Sequence, residues 1–170
     1  FDNEGNKVET VKRTVSVNDT VLPTADVTVS SEANTNEDVT VTIKASEALK
    51  EIAGWTKVDD TTFTRTFSKN VEETITVEDL AGNKLEVSYK ISNIDKTVPT
   101  VEVATSNESK DTNQDVTVTI KASEALKEIA GWTKIDDTTF TKIFSENVEE
   151  TITVEDISGN KKEVSYKVEG

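Results

Sequence analysis

The stretch DVTVTIKASEALKEIAGWTK at residues 38–57 returns without a single change at residues 115–134. Composition bias does not produce an identity of this length, so the chain is a tandem of two copies of one module. Within the stretch, Val39, Val41 and Ile43 alternate with Thr40, Thr42 and Lys44. A period of two marks a strand with one face buried. The alternation recurs in Ile75 and Val77, and in Val87, Tyr89 and Ile91, with Thr, Ser and Lys on the opposite parity. Turn residues separate these runs at positions 34–38, at Asp59 and Asp60, at Lys69 and Asn70, and at positions 81–83, so six or seven short strands per module are expected. Residues 46–52 depart from this pattern, since Ala48, Leu49 and Ile52 are spaced for one helical face. Seven residues are too few to nucleate a helix, and the expectation is a loop or single turn leading through Gly54 to Trp55 on the third strand.

The module boundaries follow from the two prolines. Pro23 and Pro99 each stand four residues after an aspartate, Asp19 and Asp95, and strand interiors exclude proline. The expected division is 1–18 as the end of a preceding repeat, 19–94 as the first module and 95–170 as the second. Asp2, Gly5, Asn6 and Lys7 repeat Asp79, Gly82, Asn83 and Lys84, which places residues 1–18 at a hairpin and last strand. A strand at 8–17 is then without its partners, and is expected to be mobile or paired with another molecule. With Phe1 first and neither an initiator Met nor a signal sequence, the chain reads as an excised fragment.

Composition narrows the function. The 170 residues carry 33 acidic against 19 basic side chains, a net charge of −14, which argues against nucleic acid and anionic membrane surfaces as partners. The acids are scattered among Thr, Val and Lys, the pattern of a solvated surface that keeps a tandem array soluble. No apolar run approaches the length of a membrane span. With no Cys there is no disulfide framework, and with neither Cys nor His the usual catalytic triads are closed off. Asp59 with Asp60, and Asp136 with Asp137, are adjacent on short turns where side chains diverge, so no catalytic residues and no enzyme activity are expected.

The differences between the copies act as a small substitution series. Val58 becomes Ile135, Leu80 becomes Ile157 and Ile91 becomes Val168, volume-tolerant exchanges suited to core or near-core sites. Leu85 becomes Lys162, which makes that position partly wet. Lys69 becomes Glu146 and Ala81 becomes Ser158, marking those turn positions as solvated. Trp55, Phe63, Phe67 and Tyr89 keep their types as Trp132, Phe140, Phe144 and Tyr166, the expected core anchors. Core packing accounts for the tryptophans more readily than a sugar-stacking platform does. Lys44 and Lys90 lie on the outward phase of their strands, which speaks against a buried Lys–Asn isopeptide cross-link.

Short strands with a Trp on the third, no disulfide and closely spaced turn signals describe an all-β chain of two tandem immunoglobulin-like β-sandwich modules, end to end. The motif Asp-Lys-Thr-Val-Pro-Thr at residues 95–100, with Glu-Asp-Leu-Ala-Gly-Asn at 78–83 before the last strand, resembles bacterial Ig-like repeats of large secreted and cell-surface proteins. Gly131 and Trp132 followed by the Phe140 to Phe144 strand fit the same pattern, and the likeness covers the whole chain. The resemblance implies an extracellular or bacterial cell-surface stalk or spacer that displays an adhesive or enzymatic domain. Its partners are then neighbouring repeats of the same chain. The alternative is an adhesin module that itself binds a glycan or a host surface protein.

The resemblance also implies calcium at the junctions of some such arrays. In an Ig-like sandwich the loop after the strand that begins at Asp115, and the hairpin at 156–160, return to the pole where the linker enters. That gathers Asp95, Glu124, Asp156 and Asn160 as oxygen ligands, with Asp19, Glu47, Asp79 and Asn83 equivalent in the first module. Hard oxygens without His or Cys suit calcium over zinc. The plainer alternative is that Asp156 caps a glycine-containing turn and Asp95 solvates a linker.

Overall fold

The computed structural model describes residues 18–106 and 114–169; the strand expected at 8–17 lies outside them. Among the described residues there are twelve strands and no helix. In the first copy these are β1 (Ala25–Val29), β2 (Val39–Ala45), β3 (Thr56–Asp59), β4 (Thr62–Phe67), β5 (Val71–Glu78) and β6 (Lys84–Ile91). The second copy repeats them as β7 (Val101–Thr105), β8 (Val116–Ala122), β9 (Thr133–Asp136), β10 (Thr139–Phe144), β11 (Val148–Glu155) and β12 (Lys161–Val168). Each copy forms a four-stranded antiparallel sheet, in the order β1-β2-β4-β3 or β7-β8-β10-β9, and a two-stranded antiparallel hairpin, β5-β6 or β11-β12. The chain is therefore all-β, two immunoglobulin-like sandwiches in tandem.

The period-two reading sets which side chains meet. In β2, Val39, Val41 and Ile43 are wholly buried, while Lys44 is exposed. Val77 on β5 and Val87, Tyr89 and Ile91 on β6 face them from the hairpin, so the two inner faces share one core that also holds Leu49, Trp55, Phe63, Phe67 and Ile94. Trp55 meets Tyr89 edge-on at a centroid distance of 5.4 Å, a favoured aromatic geometry. The Tyr89 hydroxyl donates to Glu73 across the hairpin, which satisfies the one polar atom that this ring carries inward. A separate cluster serves the second copy, from Val116 to Val168; it has no counterpart of Ile94, and Phe144, expected as a core anchor, is only partly buried against it.

Residues 46–52 form a loop without a helix, and Leu49 drops from it into the core. Trp55 sits one residue before β3, not on it, its amide bonded to the Ile52 carbonyl. The expectation of near-core sites at Val58 and Ile135 is corrected: both are 60 % exposed. Lys57 pairs with Phe63 and Asp59 with Thr62, so Val58 is the extra residue of a bulge and turns outward. Ile135 is skipped in the same way. Leu80 and Ile157 are corrected too, at 67 % and 48 % exposed, because they ride on the tip of a hairpin turn beyond the last ladder bond. Ile91 and Val168 are buried, as the conservative exchange there suggests. Ser158, expected to be solvated like Ala81, is 7 % exposed. It lies where the first module meets the second.

Candidate functional site at the pole of each module

Antiparallel strands return β5 and β6 to the pole where the chain enters the module. The turn joining them, residues 79–83, is closed by the Asp79 amide on the Asn83 carbonyl at 3.0 Å. Asp79 Oδ1 accepts the amides of Ala81 and Asn83, at 3.0 and 2.8 Å. Gly82 adopts φ +96°, a left-handed conformation that a side chain would oppose. Asn83 Nδ2 donates to Asp79 Oδ2 at 2.9 Å and to the Asp19 carbonyl at 3.0 Å, stitching the entering chain to the hairpin. The loop after β2 is brought alongside by a bridge between Leu49 and Asp79, which puts Glu47 over the turn. The second module reproduces every contact: Asp156 accepts from Ser158, Asn160 and the Asn160 side chain, and Asn160 Nδ2 reaches the Asp95 carbonyl at 2.8 Å.

Two matched carboxylate clusters result, Asp19 with Glu47 and Asp79, and Asp95 with Glu124 and Asp156, each offering oxygens within 4.8 Å of one another. Six of the eight residues singled out as oxygen ligands are thus drawn together. The other two, Asn83 and Asn160, turn their nitrogen to the carboxylates and act there as donors. Three hard oxygens suit calcium in kind, and Asp95, Glu124 and Asp156 would hold it in the second module. Calcium takes about six to eight oxygens, so the three carboxylates make up part of a shell. Leu49, read from the sequence only as part of an apolar spacing, and its copy Leu126 bridge the buried aspartates and fix the glutamate loops, a role the sequence did not reveal.

The electrostatics follow from crowding three acids into one place. The Glu47 carboxyl is pushed up to about 7, chiefly by sharing a hydrogen bond with Asp79, then by burial and by the charge of Asp19. Glu124 is pushed up to about 7 by burial first, then by its hydrogen bonds to Asp156 and Asp95. Burial opposes ionisation of Asp79 and Asp156 most strongly, but the Asn83 and Asn160 donors, the glutamate hydrogen bond and the turn amide together hold both carboxyls below the usual range. At mildly acidic pH each cluster therefore holds one proton on its glutamate.

The glutamates, raised in the folded state, stabilise the fold below their ordinary value of 4.5, and that contribution is lost as pH rises through about 7. The aspartates, depressed, contribute above their ordinary value of 3.8, and that is lost as pH falls through their lowered values. In chelator the melting temperature should accordingly fall between about pH 5 and pH 8. A melting temperature that rises steadily across that interval would show that no such proton is held.

Trp55 and Trp132 are 8 % and 9 % exposed, inside the cores, and offer no platform for a sugar ring. Asp59 Oδ1 accepts the Thr61 amide at 2.9 Å, and Asp136 accepts that of Thr138, so these aspartates cap their own turns. Fold and site together define a tandem of β-sandwich modules with a carboxylate cluster at one pole of each. No protein-family model, no curated protein and no solved structure matches the chain.

Proposed function

We propose that the chain is a pair of structural spacer modules, residues 19–94 and 95–170, from a bacterial extracellular or cell-surface protein. Its task is to hold a displayed domain at a distance. The observation that carries this reading is the joint. Linked domains move relative to one another by default, yet here the connecting residues are bonded to both modules. On the first side Thr35 exchanges backbone bonds with Asn93 and Asp95, and Asn70 clamps both the amide and the carbonyl of Ile94. Lys96 pairs with Asp38. On the second side Asn160 takes the Asp95 carbonyl, Ser123 Oγ accepts the Thr100 amide, and Pro99 is buried. A joint anchored from both sides transmits direction, which is what a stalk requires.

Calcium at the Asp95, Glu124 and Asp156 cluster belongs to the same proposal. It would displace the glutamate proton and tie the linker to the second module. At ~10⁻⁴ to 10⁻³ M affinity, millimolar calcium adds only about 0.4–1.4 kcal/mol per module, so its effect is on stiffness more than on folding. Eight-residue strands at about 3.3 Å per residue give each sandwich a strand length of ~26 Å. Small-angle scattering should show an elongated particle about twice as long as one module, with calcium narrowing the distribution of lengths relative to chelator at pH 8. A compact globular profile would remove the spacer reading, and identical curves in calcium and chelator would remove the metal.

A further inference from the structure

Among the described residues nothing covers the turn between β5 and β6, and its copy is covered. Leu80 is 67 % exposed, and Ala81 and Gly82 are open to solvent. At the matched positions Ile157 falls to 48 %, Ser158 to 7 %, and Gly159 becomes half-buried. The cover comes from the far pole of the first module. Asn36, on the loop between β1 and β2, stands so near Gly159 that a Cβ there would meet its side-chain atoms at 3.5–3.6 Å. Thr35 of the same loop grips the linker backbone. A Thr-Asn loop at one end of a module thus acts as a plug, and the aspartate-to-asparagine turn at the other end as its seat.

Both halves recur in the sequence: Thr112 and Asn113 repeat Thr35 and Asn36, and the seat at 156–160 repeats that at 79–83. In this chain the first plug fills the second seat. The first seat is flanked by Val21 and Leu22, 67 % and 57 % exposed, on the segment that the Asn83 bond to Asp19 ties to the turn. Their matched positions at the covered seat, Thr97 and Val98, stay exposed, so the seat is the turn itself.

We infer that the turn at residues 80–82 is the docking seat for the far pole of a preceding copy of this module in the same polypeptide. This rests on the spacer reading and names the joint by which an array is built. A tether supplies millimolar effective concentration, so a contact made by a few residues of one loop and one turn can form between neighbouring modules.

The chain has no cysteine, so single-cysteine variants report exposure cleanly. In the present chain, Ser158→Cys should react with a thiol reagent about tenfold or more slowly than Ala81→Cys, and adding Asn36→Ala should speed it. In a chain lengthened by a second copy of residues 19–94 placed ahead of the first, Ala81→Cys should slow to the rate of Ser158→Cys. An unchanged Ala81→Cys rate there, with Ser158→Cys still protected, would overturn the seat. Equal rates at the two positions in the present chain would overturn it as well. So would protection of Ala81→Cys that grows with protein concentration in the present chain, because a separate molecule would then be the occupant. A compact scattering profile alongside protected Ser158→Cys would remove the spacer reading and leave the seat standing.

Discussion

Phe140→Ala should destabilise the second module by about 3–5 kcal/mol and leave the first folded. Phe140 is wholly buried on β10, paired with Ile120 of β8, and packs into a cluster confined to the second copy. Truncation removes the ring from the apolar interior and leaves a cavity that neighbouring strands, fixed by their ladders, fill only in part. A module of about 75 residues has roughly 4–11 kcal/mol of stability in all, so a loss of this size takes a large share of it. Each copy carries one tryptophan, Trp55 or Trp132, so fluorescence of single-tryptophan chains follows the two modules separately in urea. The Trp132 transition should move to lower urea and the Trp55 transition should stay; Phe63→Ala should do the reverse. A single transition that shifts equally with both variants would mean that the two cores unfold as one.

How much of this was legible beforehand depends on what each residue answers to. The buried faces of β2, β6 and their copies were readable because strand parity is a local property: Val39, Val41 and Ile43 point one way whatever the rest of the chain does. The carboxylate clusters were readable at one remove, since antiparallel topology dictates which loops share a pole. Val58 was not, because a bulge shifts parity by one residue and the alternation on either side gives no warning. Leu80 was misread because a conservative exchange also suits an exposed hairpin tip. Ser158 was misread because its exposure is set by the neighbouring module, and a comparison of copies treats the two poles as equivalent. The donor role of Asn83 and Asn160 depends on which end of an amide faces the aspartate, and composition is silent on that.

Asp156→Ala should cost the second module about 2–4 kcal/mol, and more than Asp79→Ala costs the first. Asp156 has no exposed surface, and its carboxylate accepts from three N–H donors, the amides of Ser158 and Asn160 and the Asn160 side chain, with the Glu124 carboxyl hydrogen-bonded to it as well. Removing it strands all three, at about 1–3 kcal/mol for each donor that water fails to reach. Ser158 and Asn160 are each 7 % exposed, so water reaches them poorly, whereas in the first turn Ala81 lies open and Asn83 is only half-buried, so part of the loss is recovered. The deletion also frees Asn160 from its second task, since the side chain that accepts no guidance from Asp156 no longer holds the Asp95 carbonyl in place. Asp156→Ala should therefore broaden the distribution of lengths seen by scattering, while Asp79→Ala, away from the joint between the two modules, should not. Urea unfolding and scattering on the two variants check this together: equal stability losses, or a joint that stays as narrow in Asp156→Ala as in the parent chain, would show that the buried aspartate caps its turn and has no part in holding the modules in line.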